Sequence, residues 1–577
     1  MAHDPQERHR TCDDGACCYQ SAPWNLGGVE AAMEFLVIHR PHHPYPAPVN
    51  ELILFEDDHL LVANKPAGWN THAPAPYAGE GIYDWLRHRE PRWGDLAIVQ
   101  RLDKETSGVI VFSKTALANR SLTQQFADRS IRKSYLLLTD KPVSSQELTV
   151  VSTLKRVGDH YVSQPFRAGA ERAETHFHVD SREAGRTRLS AEPLTGRTHQ
   201  IRVHAATSGF PILGDTLYGG STAPRVCLHA ASIEFRHPET GNLVKFEVEA
   251  DFSANHRRQL RMAVISSKDT NAYRLIHGAT DGSSGWYVDR LGEFLLSQSE
   301  TDLTASQMET LRKTQINLGI QGAYHKVLNR HVRQSKTPDV SPALVLGEKA
   351  PDEFLIRENG LKFLLSFREG YSVGLFLDQR DNRRRFLTGH IASGFPLFQD
   401  PAKGGEVLNT FAYTCGFSVS AARSGARVTS LDLSRKYLEW GRRNFTLNDL
   451  DPAGHDFIYG DTFDWLKRFA KKKRLFDAVI LDPPTFSQSR EHGVFLVERD
   501  YGRLVIAALN VLRPGGTLLA STNAAKLKPQ DFEQTVSEAV SASGRKIDQK
   551  HYVPQPPDFP ITRSEPGYLK TLWLRIA

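Results

Sequence analysis

Cysteine is scarce in this chain, with five in 577 residues. That is too few for a disulfide framework, and it points to a reducing, cytoplasmic setting. Cys12, Cys17 and Cys18 lie near histidines, but the spacing C-x4-C-C fits no zinc pattern, so no metal is expected. No run of about 20 apolar residues occurs, which excludes a membrane-spanning helix. The opening residues, Met1 to Arg8, lack the apolar h-region of a secretory signal. There is no tandem repeat and no G-x-G-x-x-G phosphate cradle. What remains is an ordinary globular composition, 40% hydrophobic and 24% charged. A chain of this length is too long for one core and predicts roughly three to five domains.

The net charge is +6 and the pI near 8.9, which permits a nucleic-acid partner without requiring one. Three compact basic clusters stand out: Arg129-Ser130-Ile131-Arg132-Lys133, Arg383-Arg384-Arg385 and Lys471-Lys472-Lys473-Arg474. Any one of them alone reads first as a solvated helix face.

Residues 1–48, rich in His, Pro and polar side chains, read as a poorly ordered tail. Short alternating runs from Leu52 to Glu249 predict an α+β unit, mostly antiparallel sheet, ending near 265. Residues 266–350 read as a smaller α+β unit. It has strands at Gly285–Asp289 and Phe294–Leu296 and a helix over Met308–Leu318 with Leu311 on its apolar side. From about 351 to 577, strands alternate with helices, which signals a parallel α/β sheet.

The octapeptide Arg101-Leu102-Asp103-Lys104-Glu105-Thr106-Ser107-Gly108 sets one carboxylate in a polar turn. Leu96–Val99 before it and Val109–Phe112 after it both read as buried strands. An Asp there is either a turn former or a nucleophile presented by a rigid sheet. Four further segments accompany it: Val62-Ala63-Asn64-Lys65-Pro66-Ala67-Gly68; Lys133-Ser134-Tyr135-Leu136; Gly196 to His204; and Gly214 to Gly219, followed by Leu228-His229-Ala230.

In this order the segments resemble the RluA-type pseudouridine synthases, from about Leu52 to Glu249. The resemblance implies isomerisation of uridine in RNA without cofactor or metal. It maps the catalytic aspartate onto Asp103, the active-site tyrosine onto Tyr135 and the supporting guanidinium onto Arg202, with Arg197 as the nearby alternative. It also implies substrate contacts at Arg101 and Arg197. An enzyme nucleophile must be ionised and held still, and a neighbouring guanidinium serves both needs. The family usually has His just before Arg-Leu-Asp; this chain has Gln100. For His199 and His204 structural hydrogen bonding is the expectation.

A second constellation follows. Val407 to Thr410 reads as a strand running into the small-residue loop Phe411 to Gly416. Arg427 to Asp432 is a strand ending in an acid, placed to hydrogen-bond a ribose diol. Asp461 is a loop acid, and Phe476 to Leu481 is a buried strand ending in Asp482-Pro483-Pro484. This order resembles the class I S-adenosylmethionine-dependent methyltransferases. A nicotinamide dehydrogenase is the rival, but it needs the missing phosphate-cradling glycines.

Gly374 to Arg383, Asp432 to Trp440 and Asp482 to Ser487 further resemble the guanine-N7 methyltransferase half of a fused 23S rRNA enzyme. The resemblance implies that Asn409, Tyr413 and Gly416 line the methionine part of the cofactor, that Asp432 holds the ribose and that Asp461 holds the adenine edge. It implies that Asp482, with Pro483 and Pro484, positions the target base and that Phe486 stacks on it. Related cytosine-C5 enzymes carry a cysteine near the end of strand five; here that stretch is Ala520-Ser521-Thr522-Asn523. Cys415 reads as a small loop residue rather than a nucleophile. Arg380 and Arg383 are equally candidates for RNA phosphate contact and for structural ion pairs.

The combined expectation is a multidomain protein. It has an α+β pseudouridine synthase fold, a small α+β linker domain and a Rossmann-like class I methyltransferase. S-adenosyl-L-methionine serves the last of these, the partner is 23S rRNA, and there is no membrane. The rival readings are cytosine-C5 methylation, or one half kept only as a noncatalytic RNA-binding module.

Overall fold

The computed structural model describes residues 36–37 and 52–577, apart from 168, 254, 329–340, 370–371, 401–403 and 490–492. The expected tail, with Cys12, Cys17 and Cys18, lies outside the described residues. The exception is Leu36–Val37, whose backbone pairs in parallel with Val244–Lys245.

A 12-stranded mixed sheet organises the first part of the chain. Its working centre is β1 (Ile53–Glu56), β2 (Leu60–Lys65), β3 (Ser107–Ser113), β4 (Arg132–Thr139) and β5 (Leu228–Arg236), in the spatial order β1-β2-β3-β5-β4. β3 is buried at every position, which is why Val109–Phe112 is continuously apolar instead of alternating. Of the run Leu96–Val99, only Ala97–Ile98 forms a strand, and that strand is half-buried. The expected buried strand is therefore a short edge piece beside the C-terminal end of β3. Two helices frame the Asp103 turn: α1 (Ile82–Arg87) and α2 (Gln200–Thr207).

Register places the catalytic candidates together. Ala230 of β5 pairs with Gly108 on one side and with Tyr135 on the other. Tyr135 therefore lies two strands across from the start of β3. Gly108 has φ 115°, and a Cβ there would come within 2.2 Å of the Ala230 carbonyl oxygen. Only glycine permits that approach.

A five-stranded sheet follows within Ala272–Gly347, with the expected helix spanning Ala305–Leu318 and Leu311 fully buried. A hairpin (Phe354–Leu365) leads to α3 (Arg380–Thr388) and then to a seven-stranded sheet. Its elements are β6 (Glu406–Thr410), α4 (Gly416–Arg423), β7 (Arg427–Asp432), α5 (Arg435–Leu447), β8 (Asp456–Tyr459), α6 (Thr462–Lys471), β9 (Phe476–Leu481), α7 (Val497–Leu509), β10 (Leu512–Thr522), β11 (Ile547–Val553) and β12 (Lys570–Ile576). The strand order is β8-β7-β6-β9-β10-β12-β11. β6 to β10 are parallel, while β12 runs antiparallel to β10 and to β11. The chain runs outward from β6 to β8 and restarts at β9. The carboxyl ends of β6 and β9 therefore flank the crevice where doubly wound sheets bind ligands.

Candidate functional sites

Asp103 keeps 24% of its side-chain surface, enough to meet a substrate. Its turn is anchored from below. The Thr71 hydroxyl donates to the Leu102 carbonyl at 2.8 Å and accepts from the Leu102 N–H at 3.1 Å. Lys65, wholly buried, donates to the carbonyls of Pro66, Trp69 and Lys104 at 3.1, 2.7 and 3.3 Å. Burial lowers the Lys65 ammonium to about 7, against the pull of Glu105 and Asp103. Ser107 is held by the His229 ring at 2.8 Å and by Arg225 at 2.6 Å.

Arg202 is buried under the turn, but its fork belongs to Asp215. Nε and Nη2 donate to the two carboxylate oxygens at 2.7 Å each. Its Nη1 stands 3.9 Å from Asp103 Oδ2. Burial would lower the Arg202 pKa, and the Asp215 bonds more than reverse that. Asp215, a residue to which sequence reasoning gave no role, therefore fixes the guanidinium that faces Asp103. The only sequence signal was the acid inside a Gly-flanked turn. Tyr135 is pushed well above the usual tyrosine range by burial and then by the Asp103 charge, so its phenol is neutral beside the carboxylate.

Arg197 lies outside this cluster, exposed and paired with Glu171 at 3.2 Å, and Arg101 is exposed at the turn's entrance. His204 is fully buried between Ser152 and Thr175 and is structural, as expected. His199 joins the Tyr218 hydroxyl at 2.7 Å, and Tyr218 lies under the Arg202 guanidinium.

At the second site, the loop after β6 turns through three non-glycine residues of positive φ: Phe411 (126°), Tyr413 (49°) and Cys415 (66°). Such strain persists only where the surroundings over-determine it. Asp432, at the end of β7, supplies part of that determination. It accepts from the Tyr413 N–H and the Ser434 N–H at 2.8 Å each. The Tyr413 ring stands between Phe376 and Tyr437, and its hydroxyl bonds Ser372.

Asn409 and Gly416 shape the loop from beneath. Asn409 donates to Ser418 at 2.9 Å, and Gly416 leaves room for Leu375 and Arg383. Cys415 is sealed in the core against Gly441, where an added Cβ would meet its sulfur at 2.3 Å. Burial pushes its thiol up to about 12, which keeps the sulfur protonated where it packs.

Beside Asp432, a cleft is lined by Phe411, Leu433, Asp461 and Phe463. Asp461 caps α6 by accepting from the Phe463 N–H at 2.9 Å. The apolar side chains Phe411, Leu433, Phe463 and Phe495 suit the faces of a flat heterocycle, Asp461 suits its amino edge, and Asp500 and Arg503 join the lining as a charged pair, with Asp432 at the adjoining end of β7. The residues present therefore fit an adenosyl group.

Asp482 closes the crevice at the end of β9. Gln379 donates to it at 3.1 Å and to Ser521 at 2.8 Å, and Asn382 donates to Gln379 Oε1 at 2.7 Å. Tyr501 ties the ends of β9 and β10 through the carbonyls of Leu481 and Ser521, at 3.0 and 2.9 Å. Burial, and then the neighbouring Asp378, raise the Asp482 carboxyl to about 7. Pro483 is buried and Pro484 exposed at the mouth, with Phe486 half-buried at the start of a short hairpin.

Arg380 and Arg383 take the structural ion-pair alternative, and Arg384 and Arg385 do not form the solvated face expected of the Arg383–Arg385 run. Arg380 pairs with Asp558 at 2.5 Å and Arg383 with Glu358 at 2.6 Å, all buried. Arg384 bonds Glu90 and the Arg89 carbonyl, and Arg385 bonds the Ile391 and Asp381 carbonyls. This cluster is a structural hub and is closed to RNA. Lys471–Lys473 remain exposed.

A family model described as S-adenosylmethionine-dependent methyltransferase matches residues 284–575, and one described as RNA pseudouridylate synthase matches 59–207. A ribosomal RNA large subunit methyltransferase of Deinococcus radiodurans is 33% identical over 315 residues, which is 53% of this chain and 73% of that protein. Ribosomal RNA large subunit methyltransferase I of Aeromonas salmonicida is 28% identical over 410 residues, covering 70% of this chain and 97% of that protein. Among solved structures, one described as a SAM-dependent methyltransferase from Streptococcus mutans is 28% identical, covering 59% of this chain and 87% of that one at a TM-score of 0.45. Human RNA Pseudouridylate Synthase Domain Containing 4 is 23% identical, covering 36% of this chain and 92% of that one at a TM-score of 0.29. The chain belongs to the S-adenosylmethionine-dependent methyltransferases, and it carries an RNA pseudouridylate synthase unit ahead of the methyltransferase.

Proposed function

We propose that this chain is a bifunctional rRNA-modifying enzyme. Residues 49–265 isomerise a uridine, 351–577 methylate a base, and 266–350 help to hold the RNA. One observation carries the reading: a single chain holds two separate aspartates, Asp103 and Asp482, each fixed at a sheet end by a buried hydrogen-bonded frame.

In the first reaction Asp103 forms a transient bond to the nucleotide, the C1′–N1 bond of uridine breaks, the base rotates, a C1′–C5 bond forms as the bond to Asp103 is released, and the proton lost from C5 is matched by one gained at N1. Asp103 is the nucleophile. Arg202 faces it as the fixed positive charge, and the neutral Tyr135 stacks on the extruded base.

In the second unit, Asp432 and Asp461 hold the adenosyl end of S-adenosylmethionine, which when bound supplies an electrophilic methyl group. Asp482 and the Pro483–Pro484 backbone hold the target base edge-on, so that positioning does most of the work. The methylated atom is a ring nitrogen. Methylation at C5 of cytosine needs a thiol attack on the base. Among the described residues the free cysteines are Cys227 and Cys415, both buried, and the end of β10 has none.

The test is nucleotide-resolved mapping of pseudouridine and methyl marks in 23S rRNA, with and without the gene. Loss of one mark of each kind is the expected result. Asp103→Asn should remove only the pseudouridine and Asp482→Asn only the methyl group. A 5-methylcytosine in the nucleoside mass spectrum would overturn the ring-nitrogen assignment.

A further inference from the structure

The two catalytic units meet along a seam. Arg384 reaches Glu90, Tyr77 donates to Glu533 at 2.7 Å, and the Tyr77 and Tyr552 rings meet edge-on at 5.0 Å. At its centre lie Glu80, just before α1, His88, just after it, and His551 on β11. A carboxylate oxygen of Glu80 and one ring nitrogen from each histidine all lie within 4.8 Å of one another.

Backbone structure holds each in place. The Trp69 indole donates to the Glu80 carbonyl at 2.8 Å, His88 caps α1, and His551 pairs in register with Trp573 of β12. Glu80 and His88 alone would make an ordinary hydrogen-bonded pair, at 2.6 Å. That pair does not account for His551. The His551 Nε2 is sealed from solvent without a hydrogen-bond partner, although its ring meets that of His88 at 4.3 Å. A buried, unpartnered ring nitrogen carries a desolvation cost that something must offset.

We propose that Glu80, His88 and His551 form a binding site for a Zn2+-class divalent cation, joining the synthase unit to the methyltransferase unit. Two imidazoles and one carboxylate are the donors such an ion prefers, with water completing a four-coordinate shell. Ligand atoms around a tetrahedral Zn2+ stand about 3.3 Å apart, so the cluster needs only small side-chain shifts. Arg385, 3.8 Å from Glu80 Oε1, is the opposing charge, and it limits the affinity.

The test uses the full chain, stripped with chelator and desalted, then titrated calorimetrically with Zn2+ alone. One ion per chain is expected to bind, with micromolar or tighter affinity. It should bind equally to the Cys12→Ser/Cys17→Ser/Cys18→Ser variant and at least about a hundredfold more weakly to His551→Ala and His88→Ala. Absence of binding by the unaltered chain, or unchanged binding by both histidine variants, overturns the site. Should those variants not fold, the Co2+ spectrum of the unaltered chain decides. Tetrahedral bands without a thiolate charge-transfer band support the site, and a thiolate band assigns the metal to the N-terminal cysteines instead.

Discussion

Replacing Arg202 tests how Asp103 is held. The Asp215 side chain is 1% exposed and both its oxygens depend on the Arg202 fork. Arg202→Ala should therefore cost about 3–5 kcal/mol of stability in denaturant unfolding, as expected when a buried pair loses one partner. Arg202→Lys keeps the charge without the fork. It should fold, but lose most pseudouridine formation while leaving methylation intact. Asp482 offers a test in pH. Its folded pKa, raised to about 7 by burial and Asp378, exceeds that of the unfolded chain. The folded state therefore binds the extra proton between the two values, and stability falls as pH rises through that window. Asp482→Asn removes the effect. Its melting temperature relative to the unaltered chain should climb between about pH 4 and pH 7, by the equivalent of up to about 4 kcal/mol. An unchanged difference across that range would refute the assignment.

At the scale of single elements, the β3–β5 contact is the most exacting. Gly108→Ala would drive a Cβ into the Ala230 carbonyl oxygen while φ stays positive. It should part the two strands, displace the Asp103 turn and abolish pseudouridine formation, as read by rRNA mapping. The loop between β6 and α4 should tolerate more. Cys415→Ser should bind S-adenosylmethionine with affinity within a few-fold of the unaltered chain, and native Cys415 should resist alkylation. These elements also show where sequence reading reaches. The places of Asp103, Asp432 and Asp482 beside apolar strand runs are legible in the local pattern, while the roles proposed for them and for Tyr135 rest on the resemblance to known families. The Asp215 fork is not legible, because it depends on a turn and a helix start meeting in space. Arg384 and Arg385 are hidden for the same reason: their partners lie at Glu90 and Ile391, and local charge density cannot show that they are already satisfied, nor which of the two roles open to Arg383 its buried partner Glu358 selects.

At the scale of the whole molecule, the two sites share one chain and one seam. Expressed apart, the halves should modify 23S rRNA less completely than the intact chain at equal concentration, because linkage raises the effective concentration of the second site. Equal yields would remove any advantage of the fusion. The seam itself has a consequence for the substrate. Arg384 is bonded to Glu90 and the Arg89 carbonyl, and Tyr77 to Glu533, so no open hinge separates the units at that face. The distance between Asp103 and Asp482 is then a gauge set by the protein. Under the proposed function, an RNA that meets both sites in one binding event must present its two nucleotides at that spacing, or bend to do so. The proposed function then predicts that fully assembled ribosomes, whose RNA can no longer bend, are poorer substrates than naked or partly assembled rRNA in a methylation assay.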